Sequence, residues 1–324
     1  MTKAWWFRAL LSLILSVCLI AVLLTFGSWS ETLSAMGRVS LIDSMAWFGL
    51  YGLLLLLRTV RFRLLQPRHG FFTVLRAIAV QGGANRVMPF RLGELTLPYL
   101  IQQREPQSSG GVLFVLGWIR IAELFVLILA TMTAIFVHTT QIDEHISLWI
   151  GIALLLGLIV AMTLVQPEHI AVRLSRFLLR LAPLLVHVSP KLENLWRGLC
   201  QEMASLPPID RGARWRLILM CLCVQACIIG LYAHMLHAFD LNLSLVAMVI
   251  GIGAAQLASL LPILTIGTVG LHESGWVAGF VWLGVGVDAA VSSGLLTQAF
   301  TLVLGLVWAG LFYGLFSRRP TGKI

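Results

Sequence analysis

Residues 85–98 read NRVMPFRLGELTLP, and residues 260–273 read LLPILTIGTVGLHE. The first places Asn85, Arg86, Pro89, Arg91, Gly93, Glu94 and Pro98 inside an otherwise apolar stretch, Phe71 to Arg104. A lipid-facing helix tolerates neither that much charge nor two prolines, because every broken turn leaves N–H and C=O groups that hydrocarbon cannot satisfy. The second lies within Leu243 to Val287 and is interrupted by Leu261-Pro262, then Gly267, Gly270, His272, Glu273 and Gly275. Both read as re-entrant hairpins, apolar enough to enter a membrane and too interrupted to cross it as one helix. For 243–287, a pair of extra full spans gives the same sidedness and stays open.

Long apolar runs flank each broken stretch. Full spans are expected near 45–65 and 110–137 around the first, and near 216–238 and 289–316 around the second. Two more, at 10–26 and 146–165, bring the count to six. The run from Leu10 to Phe26 follows Lys3 and Arg8 and just suffices for a hydrocarbon core about 30 Å thick. A cleavable signal peptide is the competing reading there, and both put the next loop outside. The composition agrees: 59% of the 324 residues are hydrophobic and 11% charged, against about 45–50% and about 25% in a soluble domain. Mean hydropathy is +0.92. The fold class is thus an all-α polytopic membrane protein, a single integral membrane domain over 1–324.

Charge sets the expected orientation. Of the 23 Lys and Arg, all but Arg38 and Arg120 fall at the N-terminus, in 58–104, in 173–216 or in the tail with Arg318, Arg319 and Lys323. By the positive-inside rule that side is cytoplasmic and both termini lie inside. A net charge of +9 would suggest nucleic acid for a soluble chain; here the topology absorbs it and no nucleic-acid partner is expected. Residues 45–137 then run out, in, out, and 216–316 run in, out, in, so the two stretches are expected to form an inverted repeat. The linker 166–212 carries Arg173, Arg176 and Arg180 at helical spacing among leucines, an amphipathic helix suited to an anionic inner leaflet.

Each broken segment holds a proline, then glycine, then glutamate: Pro89, Gly93, Glu94 and Pro262, Gly267, Gly270, Glu273. Matching Pro/Gly-interrupted segments in inverted halves point to a transporter site near the midplane. Around such unwound backbone a polar cavity is expected, with Asn85 on its wall and Arg91 offering a planar fork to a lipid phosphate. Glu94 would anchor Arg91 or accept a proton, or Arg91 and Glu94 are an ion pair at the cytoplasmic rim, where Arg86 also lies. His272 and Glu273 form the second constellation, with an arginine of the other hairpin as the partner of Glu273. Arg120 and Glu123, three apart in one span, share a helix face and either line the site or tie two helices. Asp288 reads as a helix-end residue.

Other clusters are weaker. Cys221 and Cys223 point to different helix faces, which leaves Cys223 and Cys227 as neighbours, so the thiols read as structural and no disulfide framework is expected. His234 and His237 are three apart with no third ligand nearby in sequence. No metal or other cofactor is expected, and no Walker, GxSxG, HExxH or dinucleotide motif occurs.

NRVMPFRL with Gly93-Glu94 resembles the first signature of the lysylphosphatidylglycerol synthase transmembrane region, or flippase-like, family. LLPILTIGTVGLHE is similar to its second signature, and Arg120 with Glu123 to its Arg-x-x-acid pair. The ordered three cover about residues 5–316. Phe90 stands where the family usually has glycine, Leu97 where it often has arginine, and Ile119 where an acid commonly precedes the arginine. Carried over, the resemblance implies roles for Asn85, Pro89, Arg91, Gly93, Glu94, Arg120, Glu123, Pro262, Gly270 and Glu273. The synthases' soluble aminoacyl-transferase domain has no counterpart in these 324 residues, so synthase activity is not expected. What the resemblance implies is a lipid translocase moving a phospholipid, polyprenyl-linked lipid or related glycolipid with an anionic or polar headgroup between leaflets of a bacterial or archaeal cell membrane. The alternatives are a membrane-embedded lipid-modifying enzyme and a non-catalytic partner of a glycosyltransferase or lipid synthase.

Overall fold

A computed structural model describes residues 29–88, 92–103, 109–140, 210–260 and 270–316, and within them every regular element is helical. In chain order these are α1 (Trp29–Arg38), α2 (Leu41–Leu65), α3 (Phe71–Val87), a 3-10 turn (Leu92–Leu95), α4 (Thr96–Gln102), α5 (Ser109–Thr140), α6 (Arg211–Ala238), α7 (Leu245–Ala258), α8 (Leu271–Trp282) and α9 (Val287–Phe316). The expectations for 10–26, 146–165 and the linker to residue 209 lie outside the described residues. So do Pro89, Arg91, Pro262 and Gly267.

The four long helices, α2, α5, α6 and α9, are long and apolar enough to cross a membrane, where the sequence predicts spans. The interrupted stretches are helical pairs. α7 has 14 residues and α8 has 12, about 21 and 18 Å, each short of a hydrocarbon core. α3 ends at Val87, with the Met88 amide bonded to Ala84 O at 2.8 Å. That stop precedes Pro89, as a proline demands. The helix starts are written in the sequence. Ser40 and Asp43 form a reciprocal capping box on α2, and Ser244 caps α7 through the Ala247 amide at 3.2 Å.

One expectation is revised. The segment after the first span reads as an outside loop, yet Trp29–Arg38 forms a helix. It lies on α9, with Thr32 donating to Ser292 Oγ at 2.9 Å, and Arg38 pairs with Asp240 at 3.4 Å. Its polar residues alternate with Leu33, Ala35 and Met36 at helical spacing, and Ala35 alone of these is buried.

Packing is inside-out relative to a soluble protein. Ile121, Phe125, Ile128, Met132 and Phe136 expose one stripe of α5, and Val303, Leu306, Val307 and Leu311 another on α9. In water such stripes would be an aggregation liability; in lipid they face their own solvent. The polar residues turn inward: Thr59, Arg61, Gln81, Gln225, His272, Glu273, Thr297, Gln298 and Thr301 are buried.

The contacts are reciprocal. α2 packs on α6; α3 packs on α9 while α7 packs on α5; and α4 touches α5 as α8 touches α9. The crossed contacts both depend on glycine. A Cβ on Gly83 would stand 2.8 Å from Ala309 Cβ of α9, and one on Gly253 would collide with the Thr131 hydroxyl of α5.

Candidate functional site

The broken helices bring polar residues from both halves around one cavity of about 230 Å³. α2 contributes Tyr51 and Arg58, α3 contributes Asn85 and Arg86, and the 3-10 turn contributes Glu94. Arg120 and Glu123 come from α5, Tyr232 from α6, Gln256 from α7, His272 from α8, and Gln298 with Thr301 from α9. A smaller void of about 40 Å³ shares Arg58, Asn85 and Arg120 as walls and adds Arg61 and Gln81.

The carboxylates are engaged. Glu123 takes Arg61 at 2.7 Å on one oxygen and Arg120 at 2.9 Å on the other. Arg120 also reaches Glu94 at 3.1 Å. The same-face pair expected of Arg120 and Glu123 is present, and it is part of a four-membered chain, Arg61–Glu123–Arg120–Glu94. Glu94 reaches Arg120 because Gly93 lies flush against the last turn of α3. A Cβ there would run into the backbone nitrogen and Oδ1 of Asn85.

Two guanidiniums touch no carboxylate at ion-pair distance among the described residues, although Glu123 acts on Arg58 from farther off. Arg86 donates to Thr301 Oγ1 at 2.8 Å and reaches Gln298 Oε1 at 3.5 Å. The hydroxyls of Tyr51 and Tyr232 also face it, so its hydrogen-bond partners among the described residues are neutral, with the Glu273 carboxylate within electrostatic reach. Arg58 stands two turns from Tyr51 on α2 and makes no hydrogen bond or ion pair among the described residues, its Nε being buried and unpartnered. The cavity wall itself holds Arg58, Arg86 and Arg120 against Glu94 and Glu123, and the adjoining Arg61 and Glu273 add one charge of each sign. Asn85 Oδ1, Gln256 Nε2 and His272 Nδ1 are also buried without a partner among the described residues.

The glutamate of the second hairpin behaves differently. Glu273 is 2% exposed and does not line the cavity. Its carboxylate turns back on its own helix and accepts the Gly270 amide at 2.7 Å. Gly270 is the N-cap of α8 with φ of 89°, a left-handed conformation that suits glycine, and glycine has no side chain with which to cap. No arginine touches Glu273 at ion-pair distance among the described residues, but Arg86 of the other hairpin acts on it electrostatically from farther off. His272, its neighbour, does face the cavity, with Nε2 3.4 Å from the Tyr232 hydroxyl and its ring stacked on Trp276.

Sequence reasoning missed Arg58 and Arg61, assigning both to a cytoplasmic loop. They sit inside α2, and Arg61 is 4% exposed. Their spacing of three, one helical face, was the available signal. Tyr51, Tyr232, Gln298 and Thr301 carried none, being single neutral residues on apolar helices. The clusters set aside stay apart. Trp47 Nε1 donates to His234 Nδ1 at 3.0 Å, whereas His237 faces Asn242 at 2.7 Å. Cys221 is a buried free thiol beside Arg61, Cys223 and Cys227 are free and partly buried, and no group of three potential metal ligands occurs among the described residues. Asp288 is in the first turn of α9, exposed.

The family model for the lysylphosphatidylglycerol synthase TM region matches residues 9–309. No curated protein and no solved structure matches the chain.

Proposed function

The chain belongs to the lysylphosphatidylglycerol synthase TM region family, and from that premise we propose that it is a lipid translocase, carrying a lipid with an anionic headgroup between membrane leaflets. Membership and the spanning helices give a lipid-related role in a membrane; movement of the lipid is the added step. The observation that carries it is the excess of guanidinium over carboxylate in the cavity between the two hairpins. An uncompensated cation in an apolar interior costs several kcal/mol. Arg58 and Arg86 line the cavity with no carboxylate in contact among the described residues, an arrangement that suits a site whose counter-ion arrives with the ligand. Asn85, Glu94, Arg120, Glu123 and His272 complete the wall, and Arg91 belongs to the same proposed site. The acyl chains stay in the bilayer while the headgroup enters.

The reciprocal packing of α3 on α9 and α7 on α5 supports an inverted repeat, 45–137 against 216–316, with the cavity at its centre. The proposed setting is a bacterial or archaeal cell membrane with both termini in the cytoplasm. The enzyme alternative needs an acid and a base acting together. His272 and Glu273 diverge instead, one to the cavity and one to the α8 cap. The partner-protein alternative needs charges closed into ion pairs, and Arg58 and Arg86 make none at contact distance among the described residues.

The test is transbilayer movement of fluorescent anionic phospholipid in proteoliposomes, read by dithionite quenching. Wild-type protein should render the inner-leaflet probe accessible, and Arg86→Ala should lose that activity while keeping its elution volume in detergent. Equal rates for Arg86→Ala and wild type would reject the assignment. Conversion of the lipid to a new mass in detergent, where no leaflets exist, would favour the enzyme.

A further inference from the structure

His272 has a partner for one ring nitrogen and none for the other. It is the second residue of α8, 5% exposed, with its ring stacked on Trp276 and its Nε2 3.4 Å from the Tyr232 hydroxyl. Its Nδ1 is buried without a hydrogen-bond partner among the described residues, and the residue lines the cavity. A neutral imidazole donates from one nitrogen and accepts at the other, so the bond made by Nε2 fixes what Nδ1 has to offer.

The direction of that bond follows from Arg86. The Tyr232 hydroxyl also faces Arg86, and a guanidinium has donors and no acceptor, so the phenol oxygen is the accepting side there. The phenol proton is then left for its other contact, His272 Nε2. With the proton in that bond, Nδ1–H is the single unmet group. The opposite tautomer leaves two, the phenol proton and the Nδ1 lone pair, in a buried place where each unmet group is costly.

We infer that His272 is an N–H donor to the ligand: Arg86 donates to Tyr232, Tyr232 donates to His272 Nε2, and Nδ1–H donates to a phosphate or carboxylate oxygen of the headgroup. The chain joins the first hairpin to the second through α6, and hydrogen bonds in series strengthen one another. An acceptor oxygen completes it, whereas an ammonium, which only donates, does not. That the oxygen belongs to a lipid rests on the translocase reading; the tautomer stands without it.

The experiment uses full-length protein with isotope-labelled histidine in mild detergent, read by long-range proton–nitrogen correlation, which separates the two tautomers. The His272 signals, assigned by their loss in His272→Asn or by proximity to the Trp276 ring, should show a protonated Nδ1 and a bare Nε2. A proton on Nε2 overturns the proposal. Tyr232→Phe should move population to the Nε2–H tautomer, and an unchanged tautomer would break the chain at Tyr232. Saturating dioctanoyl phosphatidylglycerol should shift the Nδ1–H resonance; no shift overturns the donor role. An equal shift with inorganic phosphate would assign the oxygen to a free anion and overturn the lipid source. Affinity for the lipid should fall about tenfold in His272→Gln, whose amide overlays Nε2, and stay within about threefold in His272→Asn, whose amide overlays Nδ1. The reverse order overturns the proposal. Proteoliposomes separate the two readings. A saturable Nδ1–H shift with no lipid movement defeats the translocase and leaves the donor, whereas lipid movement with equal rates in the two His272 variants defeats the donor and leaves the translocase.

Discussion

The two hairpins carry the same residues in the same order and put them to different use. In the first, Gly93 and the 3-10 turn bring Glu94 to Arg120, and Asn85 and Arg86 line the cavity beside it. In the second, the glutamate closes on its own glycine, and α7 and α8 are pressed together through Gly251, Gly275 and Gly279. A Cβ on Gly279 would stand 3.0 Å from Gly251 Cα. Both hairpins close on glycine against backbone, Gly93 on Asn85 and Gly279 on Gly251, and among the described residues the first alone also sends its glutamate to an arginine of another helix. A shared motif therefore specifies a broken helix and leaves the chemistry of the break to its neighbours.

The largest effect is expected where the charged half is tied together. Glu123→Ala leaves Arg61, which is buried, without its carboxylate and strips Arg120 of one of two. Loss of one member of a buried pair costs about 3–5 kcal/mol, so the variant should show a sharply lowered unfolding temperature in detergent. A wild-type melting curve would mean that the cluster is hydrated and not structural. Next comes the second hairpin. Gly275→Val drives a side chain into Ala258 Cβ and Ala254 O, at 2.5 and 2.7 Å from the first added carbon, an overpacking cost of about 1–3 kcal/mol. Gly82→Ala, a control in the first hairpin away from its closing glycine, meets only the Tyr51 hydroxyl at 3.5 Å and should melt like wild type. Equal destabilisation by both would mean that close glycine packing does not set the stability of the bundle. The smallest and most diagnostic contrast pairs the glutamates. Glu94→Gln removes a pair that is about one-third exposed, a change of about 0–1 kcal/mol in stability, and should slow lipid movement. Glu273→Gln weakens a helix cap, about 1 kcal/mol, and should leave headgroup binding intact. The reverse outcome, binding lost with Glu273 and kept with Glu94, would move the site to the second hairpin.

Much of this was readable before any coordinates. The spans expected at 45–65, 110–137, 216–238 and 289–316 correspond to helices at Leu41–Leu65, Ser109–Thr140, Arg211–Ala238 and Val287–Phe316, because a long apolar run has few other ways to satisfy its backbone in lipid. Arg120 and Glu123 were legible because spacing alone puts them on one face. Arg58 and Arg61 were not, since cations at the end of an apolar run look like a membrane boundary, and only the position of α5 shows that they face Glu123. The cap made by Glu273 had a local signal, a glycine three residues before an acid at a helix start, but that spacing is also compatible with a ligand. Tyr51 and Tyr232 had no signal, because α2 and α6 are far apart in sequence and meet only in the fold.

The hydroxyl column of α9 has a directional consequence. Thr301 donates its proton to Thr297 O at 2.8 Å, Thr297 to Ser293 O at 2.6 Å and Ser293 to Ala290 O at 3.1 Å. Hydroxyls whose protons are held by their own helix present only lone pairs to whatever passes. The column thus offers acceptors to donors from neighbouring helices. Its two ends are already held, Thr301 by Arg86 at 2.8 Å and Ser293 by the Trp276 indole at 3.1 Å. Thr297, one turn from each and about 6 Å along the axis, is fully buried and outside the cavity lining. The column therefore spends its protons inside α9 and shows the cavity a single acceptor, at the turn where Arg86 is fastened.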